Sequence, residues 1–155
     1  VEAYWKGRDV QYAGELTDEI RGNAEITVGK TNQLLERTGF EHISSVNSGW
    51  RPKGVNDATR NAAAGSKHLT AEANDLPDSW PDRALAHACV ADSGAVLIEL
   101  DLYMEDPRWT AKWDSERKMW VCWVHIQIVP PKSGRRIYIP ATTPPTDPNF
   151  EVTWV

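Results

Sequence analysis

The chain holds few of the residues that mark special-purpose proteins. Its 155 residues include only two cysteines, Cys89 and Cys122. That is too few for a disulfide scaffold and wrongly spaced for a cysteine-rich metal site, so both read as buried thiols. No apolar run approaches the ~20 residues that a membrane-spanning helix needs. Basic charge is not in excess either: 17 Lys and Arg face 22 Asp and Glu, for a net charge of −5. A nucleic-acid footprint is therefore not expected. No signal-peptide pattern opens the sequence, and it lacks an initiating Met. No internal repeat is visible. The remaining composition, 41% hydrophobic and 25% charged, is that of a single globular domain with one core.

Tryptophan is plentiful, with eight residues that crowd late in the chain at Trp109, Trp113, Trp120 and Trp123. Burial and stacking on sugars account for such a cluster equally well. Residues 1–15 read as a loop that packs its aromatics on the body. Thr17 is placed to N-cap a helix whose apolar stripe runs through Ile20, Ala24, Val28, Thr31, Leu34 and Leu35 and stops at Gly39. His42–Ser48 reads as a short strand and 50–65 as a loop. The region His68–Asp75 begins as a strand, with a turn at 77–81. A helix from Asp82 passes through Ala84, Leu85, Ala88 and Cys89, with Gly94 as its stop. Residues 95–103 mix helical and strand periods. Trp120–Val129 alternates as a strand does, and Arg135–Ile139 is placed to pair back on it as a hairpin. Helices first and strands around a site predict an α+β domain over 1–140, followed by a Pro-rich tail over 141–155.

The chemistry gathers around Ser66-Lys67-His68-Leu69-Thr70-Ala71-Glu72-Ala73-Asn74-Asp75. Imidazole and carboxylate are both zinc ligands, and a catalytic zinc needs three protein ligands and an open position for water. Residues seven apart on one uninterrupted strand face opposite ways. If His68 and Asp75 share a metal, the chain must turn or bulge near Thr70-Ala71-Glu72. A third ligand then comes from elsewhere, and His125 in Trp-Val-His-Ile-Gln is the best candidate.

The order of these motifs resembles the zinc peptidases of the D-alanyl-D-alanine peptidase and VanX type, which include L-alanyl-D-glutamate peptidases of phage endolysins. The wider group also contains lysostaphin and sonic hedgehog. The resemblance rests on Tyr4-Trp5-Lys6-Gly7-Arg8-Asp9, Ser48-Gly49-Trp50-Arg51-Pro52, Ser66-Lys67-His68, Tyr103-Met104-Glu105-Asp106-Pro107 and Trp123-Val124-His125-Ile126-Gln127, followed by residues 129–136. It implies a hedgehog/D,D-peptidase-like fold, a small antiparallel sheet flanked by helices with the zinc on the sheet. It also implies Zn2+ held by His68, Asp75 and His125, Glu105 as the base, Arg51 near the substrate and Ser66 contacting it. Two departures stand out. In the VanX-like branch a Glu lies three residues before the last His, where this chain has Cys122, so Asp106, Asp114 and Glu116 are further candidates for the base. Ala71 replaces a usual glycine, and a positive φ there strains alanine.

The function so implied is a phage-type endolysin, a monomer that hydrolyses an amide bond in the peptidoglycan stem or cross-bridge. It is expected to wait in the host cytoplasm and reach the wall through a holin or another release route. The alternative is a zinc-containing but inactive wall-binding or structural module. Two other patterns fail. Ser66, His68 and Asp75 lack the geometry and the G-x-S-x-G elbow of a serine hydrolase. Val28-Gly29-Lys30-Thr31 lacks the first glycine of a phosphate loop.

Overall fold

The computed structural model describes residues 3–60 and 62–140; the 141–155 tail lies outside them. Four helices, α1 (Arg8–Gln11), α2 (Asp18–Thr38), α3 (Lys53–Ala58) and α4 (Ala84–Glu99), accompany five strands, β1 (Ala73–Asp78), β2 (Tyr103–Glu105), β3 (Ala111–Asp114), β4 (Met119–Gln127) and β5 (Ile137–Tyr138). The class is α+β, with a small sheet flanked by helices. No helix among the described residues is long and apolar enough to cross a membrane.

α2 forms where its capping residues predict. Thr17 accepts from the Ile20 amide, and Gly39 closes the helix in the left-handed conformation at φ 78°. Its buried face carries Ala24, Thr27, Thr31, Leu34 and Leu35. β4 is the centre of the sheet. β1 pairs antiparallel along one edge (Asp75 opposite His125), and β2 and β3 pair antiparallel with it as well. Along β1, β2 and β4 the alternation sorts side chains cleanly. Leu76, Met104, Val124 and Ile126 point into the core, each no more than 1% exposed, and Asp75, Glu105 and His125 lie on the opposite face.

Several expectations need correction. The 1–15 segment is not a plain loop but holds α1 and a 3-10 turn over Ala13–Glu15. Arg135–Ile139 does not make a hairpin with β4, whose edges at 125–127 are already taken by β1 and β2. Instead β5 runs parallel to β2, with the Met104 and Asp106 amides donating to the carbonyls of Arg136 and Tyr138, so the sheet is mixed rather than wholly antiparallel. His42–Ser48 forms no strand and carries only isolated bridge residues, Ser45 and Ser48, with Ser48 bridging to Asp75 and the Asn47 amide donating to the Asp75 carbonyl. The 50–65 loop includes the short helix α3. β1 begins at Ala73 rather than His68, because His68–Ala71 is a turn in which the Ala71 amide donates to the His68 carbonyl.

α4 starts at Ala84, two residues later than Asp82. Its free amides at Leu85 and Ala86 are satisfied from a distance by the Asp78 carboxylate. That carboxylate also pairs with the buried Arg83, whose guanidinium reaches the carbonyls of Pro107 and Trp123 and the Thr110 hydroxyl. The helix breaks at Ala91–Gly94, where Gly94 has φ 77°, and resumes to Glu99 before β2. The predicted stop is thus a kink.

Candidate metal centre

The turn expected between His68 and Asp75 is present, and Ala71 is its pivot at φ 57°. A left-handed alanine costs about 1–2 kcal/mol. Hydrogen bonds hold it there. The Ala71 carbonyl accepts from the Thr27 hydroxyl at 2.8 Å and from the Tyr4 hydroxyl at 3.0 Å. Tyr4 also bonds the Ala73 carbonyl, and Asn74 bonds Thr31, so α2 and the N-terminal segment both fix this turn from beneath.

The turn brings His68, Asp75 and His125 together, with one potential ligand atom from each lying within 4.8 Å of the others. His125 sits directly across the β1–β4 ladder from Asp75, and its Nδ1 is 2.8 Å from Asp75 Oδ1. His68 Nδ1 lies 2.7 Å from the Gly49 carbonyl. A carbonyl only accepts, so Nδ1 carries the proton and Nε2 is left with its lone pair whenever the ring is neutral. Burial favours that neutral form, lowering the His68 pKa against the opposing pull of Asp75.

His68 Nε2 is buried without a hydrogen-bond partner, 3.3 Å from Asp75 Oδ2. Two acceptor atoms facing each other at that distance repel unless a cation lies between them. The separation also matches the ~3.3 Å edge of a tetrahedron built on metal bonds of about 2.0–2.1 Å. A carbonyl orienting the far ring nitrogen is the usual outer support of a metal-binding histidine. The three residues therefore fit a divalent metal through His68 Nε2, an Asp75 oxygen and a His125 ring nitrogen, with the proton that His125 shares with Asp75 released on binding. Burial works against the Asp75 carboxylate, but His68 and His125 outweigh it and hold its pKa far below the usual range. For His125, the Asp75 hydrogen bond and charge, with Glu105, overcome burial and raise the ring's pKa.

Glu105 comes next to this cluster by register. β2 pairs Tyr103 with Gln127 and Met104 with Ile126, so one further step sets Glu105 beside His125, on the side away from Asp75. Burial raises its pKa, opposed by His125 and reinforced by the Asp75 and Asp106 charges. The other acidic candidates do different work. Asp106 caps the 3-10 turn Pro107–Trp109 and pairs with Arg108. Asp114 accepts from the Glu116 and Arg117 amides in the β3–β4 turn, and Glu116 lies exposed in that turn.

Arg51 enters the site from the 49–52 segment, its Nη2 3.9 Å from Asp75 Oδ2 and its amide bonded to the His68 carbonyl. Ser66 accepts weakly, at 3.4 Å, from the His68 amide and helps shape the turn. Two contributors are not signalled by residue type. The Gly49 carbonyl is invisible because any residue supplies one. Tyr138 is carried in by the unforeseen parallel β5 opposite Glu105, where its hydroxyl donates to Gln127 Oε1 at 2.8 Å. Searches against protein-family models, curated proteins and solved structures gave no match to this chain.

Proposed function

We propose that this chain is a zinc-dependent peptidoglycan peptidase of the phage-endolysin type. The observation that carries the reading is the facing pair of acceptors, His68 Nε2 and Asp75 Oδ2, with a His125 ring nitrogen completing a three-ligand set. Two imidazoles and one carboxylate suit zinc in its catalytic form, with a position left open. Zinc bound there lowers the pKa of water toward ~7 and polarises a carbonyl. The substrate class comes from the resemblance of the ordered motifs, from the Tyr4–Asp9 opening through His125, to wall peptidases.

In this reading Glu105 takes the proton from the attacking water and passes it to the leaving amine. Its raised pKa suits that exchange better than an ordinary surface carboxylate does. Arg51 donates from its guanidinium to the scissile carbonyl oxygen as negative charge develops. The resemblance gives Ser66, next to His68 in the turn, a contact with the peptide.

The test is lysis of outer-membrane-permeabilised Gram-negative cell walls by zinc-loaded protein, with mass spectrometry of the released fragments. Glu105→Gln is expected to keep its zinc and its melting temperature while losing at least about a hundredfold in rate. Zinc binding with no lysis by the parent chain would favour the inactive wall-binding module instead.

A further inference from the structure

One buried side chain outside the candidate centre ties together the strands that carry it. Arg83 is 1% exposed, and its Nε pairs with Asp78 Oδ2 at 3.1 Å, three residues beyond Asp75 on β1. Its Nη1 donates to the Pro107 carbonyl at 2.9 Å, two residues beyond Glu105. Its Nη2 donates to the Trp123 carbonyl at 2.9 Å, two residues before His125 on β4, and to the Thr110 hydroxyl at 3.0 Å.

This clamp lies where strand pairing is interrupted. The β2–β4 ladder stops at Met104 and Ile126, and the β3–β4 ladder starts at Ala111 and Cys122. Between them Asp106–Thr110 crosses beside Trp123–His125 outside any ladder. On its β5 side this crossover is held by the Asp106 amide, which donates to the Tyr138 carbonyl at 2.8 Å. On its β4 side, among the described residues, it has one backbone bond, from the Trp123 amide to the Thr110 carbonyl at 3.0 Å, and the arginine fork. Buried carbonyls need partners, and a planar guanidinium gives them at a fixed separation, so the fork sets a spacing that no strand pairing sets. Asp78 holds the fork in turn, because its carboxylate also accepts from the Leu85 and Ala86 amides at the start of α4. Arg83 itself has φ 48°, a left-handed backbone that would suit glycine better, so its side chain is what the position uses.

We infer that Arg83 is the positioning residue of this site: it holds the Asp106–Thr110 crossover against β4 and so sets Glu105 beside His125. The ligand set does not depend on it. His68, Asp75 and His125 are fixed by the β1–β4 ladder, the Gly49 carbonyl and the turn at Ala71. A lysine in its place keeps a charge for Asp78 but lacks the fork that spans Pro107 and Trp123. The task of Glu105 rests on the peptidase reading; its coupling to His125 through Arg83 does not.

The test is Arg83→Lys, alone and combined with Glu105→Gln, with folding verified by circular dichroism. NMR of the metal-free chain reads the coupling. Glu105→Gln is expected to shift the His125 ring signals in wild type, and by less than about half as much when Arg83 is lysine. Zinc affinity against a competing chelator is expected to stay within about threefold of wild type, below the ~10-fold loss that marks a disturbed ligand shell. On permeabilised walls kcat is expected to fall about 10–100-fold with KM little changed. Added to Glu105→Gln, the same substitution is expected to cost less than about twofold more, because both act through one group; a purely structural role leaves the two losses additive. Should Arg83→Lys not fold, Thr110→Val removes one partner of the fork and carries the same test, with smaller effects of the same sign. Equal His125 shifts in both backgrounds, additive losses in rate, or zinc affinity about tenfold weaker overturns the inference. If the His125 response is lost but wild type cuts no walls, the positioning stands and the peptidase reading falls. If walls are cut and Arg83→Lys leaves kcat intact, the reading stands and the positioning falls.

Discussion

Replacing Gly49 with alanine probes the link between the N-terminal segment and the metal centre. A Cβ on Gly49 falls 2.1 Å from the Tyr4 carbonyl oxygen and 2.9 Å from Tyr4 Cδ2, where ordinary contact begins at 3.4 Å. The two segments must therefore part by roughly 1.3 Å, the difference between 3.4 and 2.1. Overpacking of this kind costs about 1–3 kcal/mol. The Tyr4 hydroxyl shares its single proton between the Ala71 and Ala73 carbonyls, a bond worth about 1 kcal/mol, and is pulled on by the same movement. A total near ~3 kcal/mol corresponds to a melting temperature lower by about 6–12 °C in a chain of this size. The Gly49 carbonyl also orients His68, so zinc affinity should fall about 10–100-fold. Thermal unfolding followed by circular dichroism and zinc titration against a competing chelator measure the two effects. A melting temperature within about 2 °C of wild type together with unchanged zinc affinity would refute the reasoning.

Other substitutions should behave differently. Gly22 lies inside α2 with nothing within 4 Å of the place a methyl group would take, so Gly22→Ala should stabilise by about 0.5–1 kcal/mol, and a loss on denaturant unfolding would count against that helix. Ala71→Gly relieves the φ of 57° but deletes a fully buried methyl worth about 0.8 kcal/mol, so the two effects should cancel to within about 1 kcal/mol by the same assay; a loss of about 3 kcal/mol or more would mean that the left-handed turn is misplaced. Burial pushes Cys89 up to about 12 and Cys122 up to about 11. At pH 8 such a thiol is ionised to about one part in a thousand or less, against about a quarter for a free one, so iodoacetamide should label the native chain slowly and the unfolded chain fast. The unfolded thiols ionise first, so their contribution to stability is complete below about pH 8.5 and declines as pH rises through 11 and 12; rapid native labelling at pH 8 contradicts this. In the metal-free chain burial should make Glu105 titrate above the usual carboxylate value near ~4.3, and zinc should bring it back down; NMR titration of the Glu105 carboxyl with and without zinc checks both, and an ordinary value in the metal-free chain contradicts the burial.

Local rules made parts of this fold legible. Thr17 and Gly39 bracket α2 because capping depends on neighbouring residues alone, and the alternation of β4 is visible because its two faces meet different environments. The turn near Ala71 followed from a simple conflict, since His68 and Asp75 cannot face one ligand from a straight strand. What stayed hidden depends on distant partners. The start of α4 is set by Asp78 across a loop, and the parallel course of β5 follows from which edges of β4 are already occupied. Glu105 stood out by its motif, but its place beside His125 required the β2–β4 register. The acceptor that fixes the His68 tautomer is a backbone carbonyl, which leaves no mark in residue identity.

The central claim is that His68, Asp75 and His125 are metal ligands. Elemental analysis of purified protein, compared with Asp75→Ala and His125→Ala, addresses it most directly. One zinc per wild-type chain is expected, and both variants should lose that zinc while still folded by circular dichroism. Wild-type protein that takes up no zinc, or variants that retain it in full, would contradict the claim.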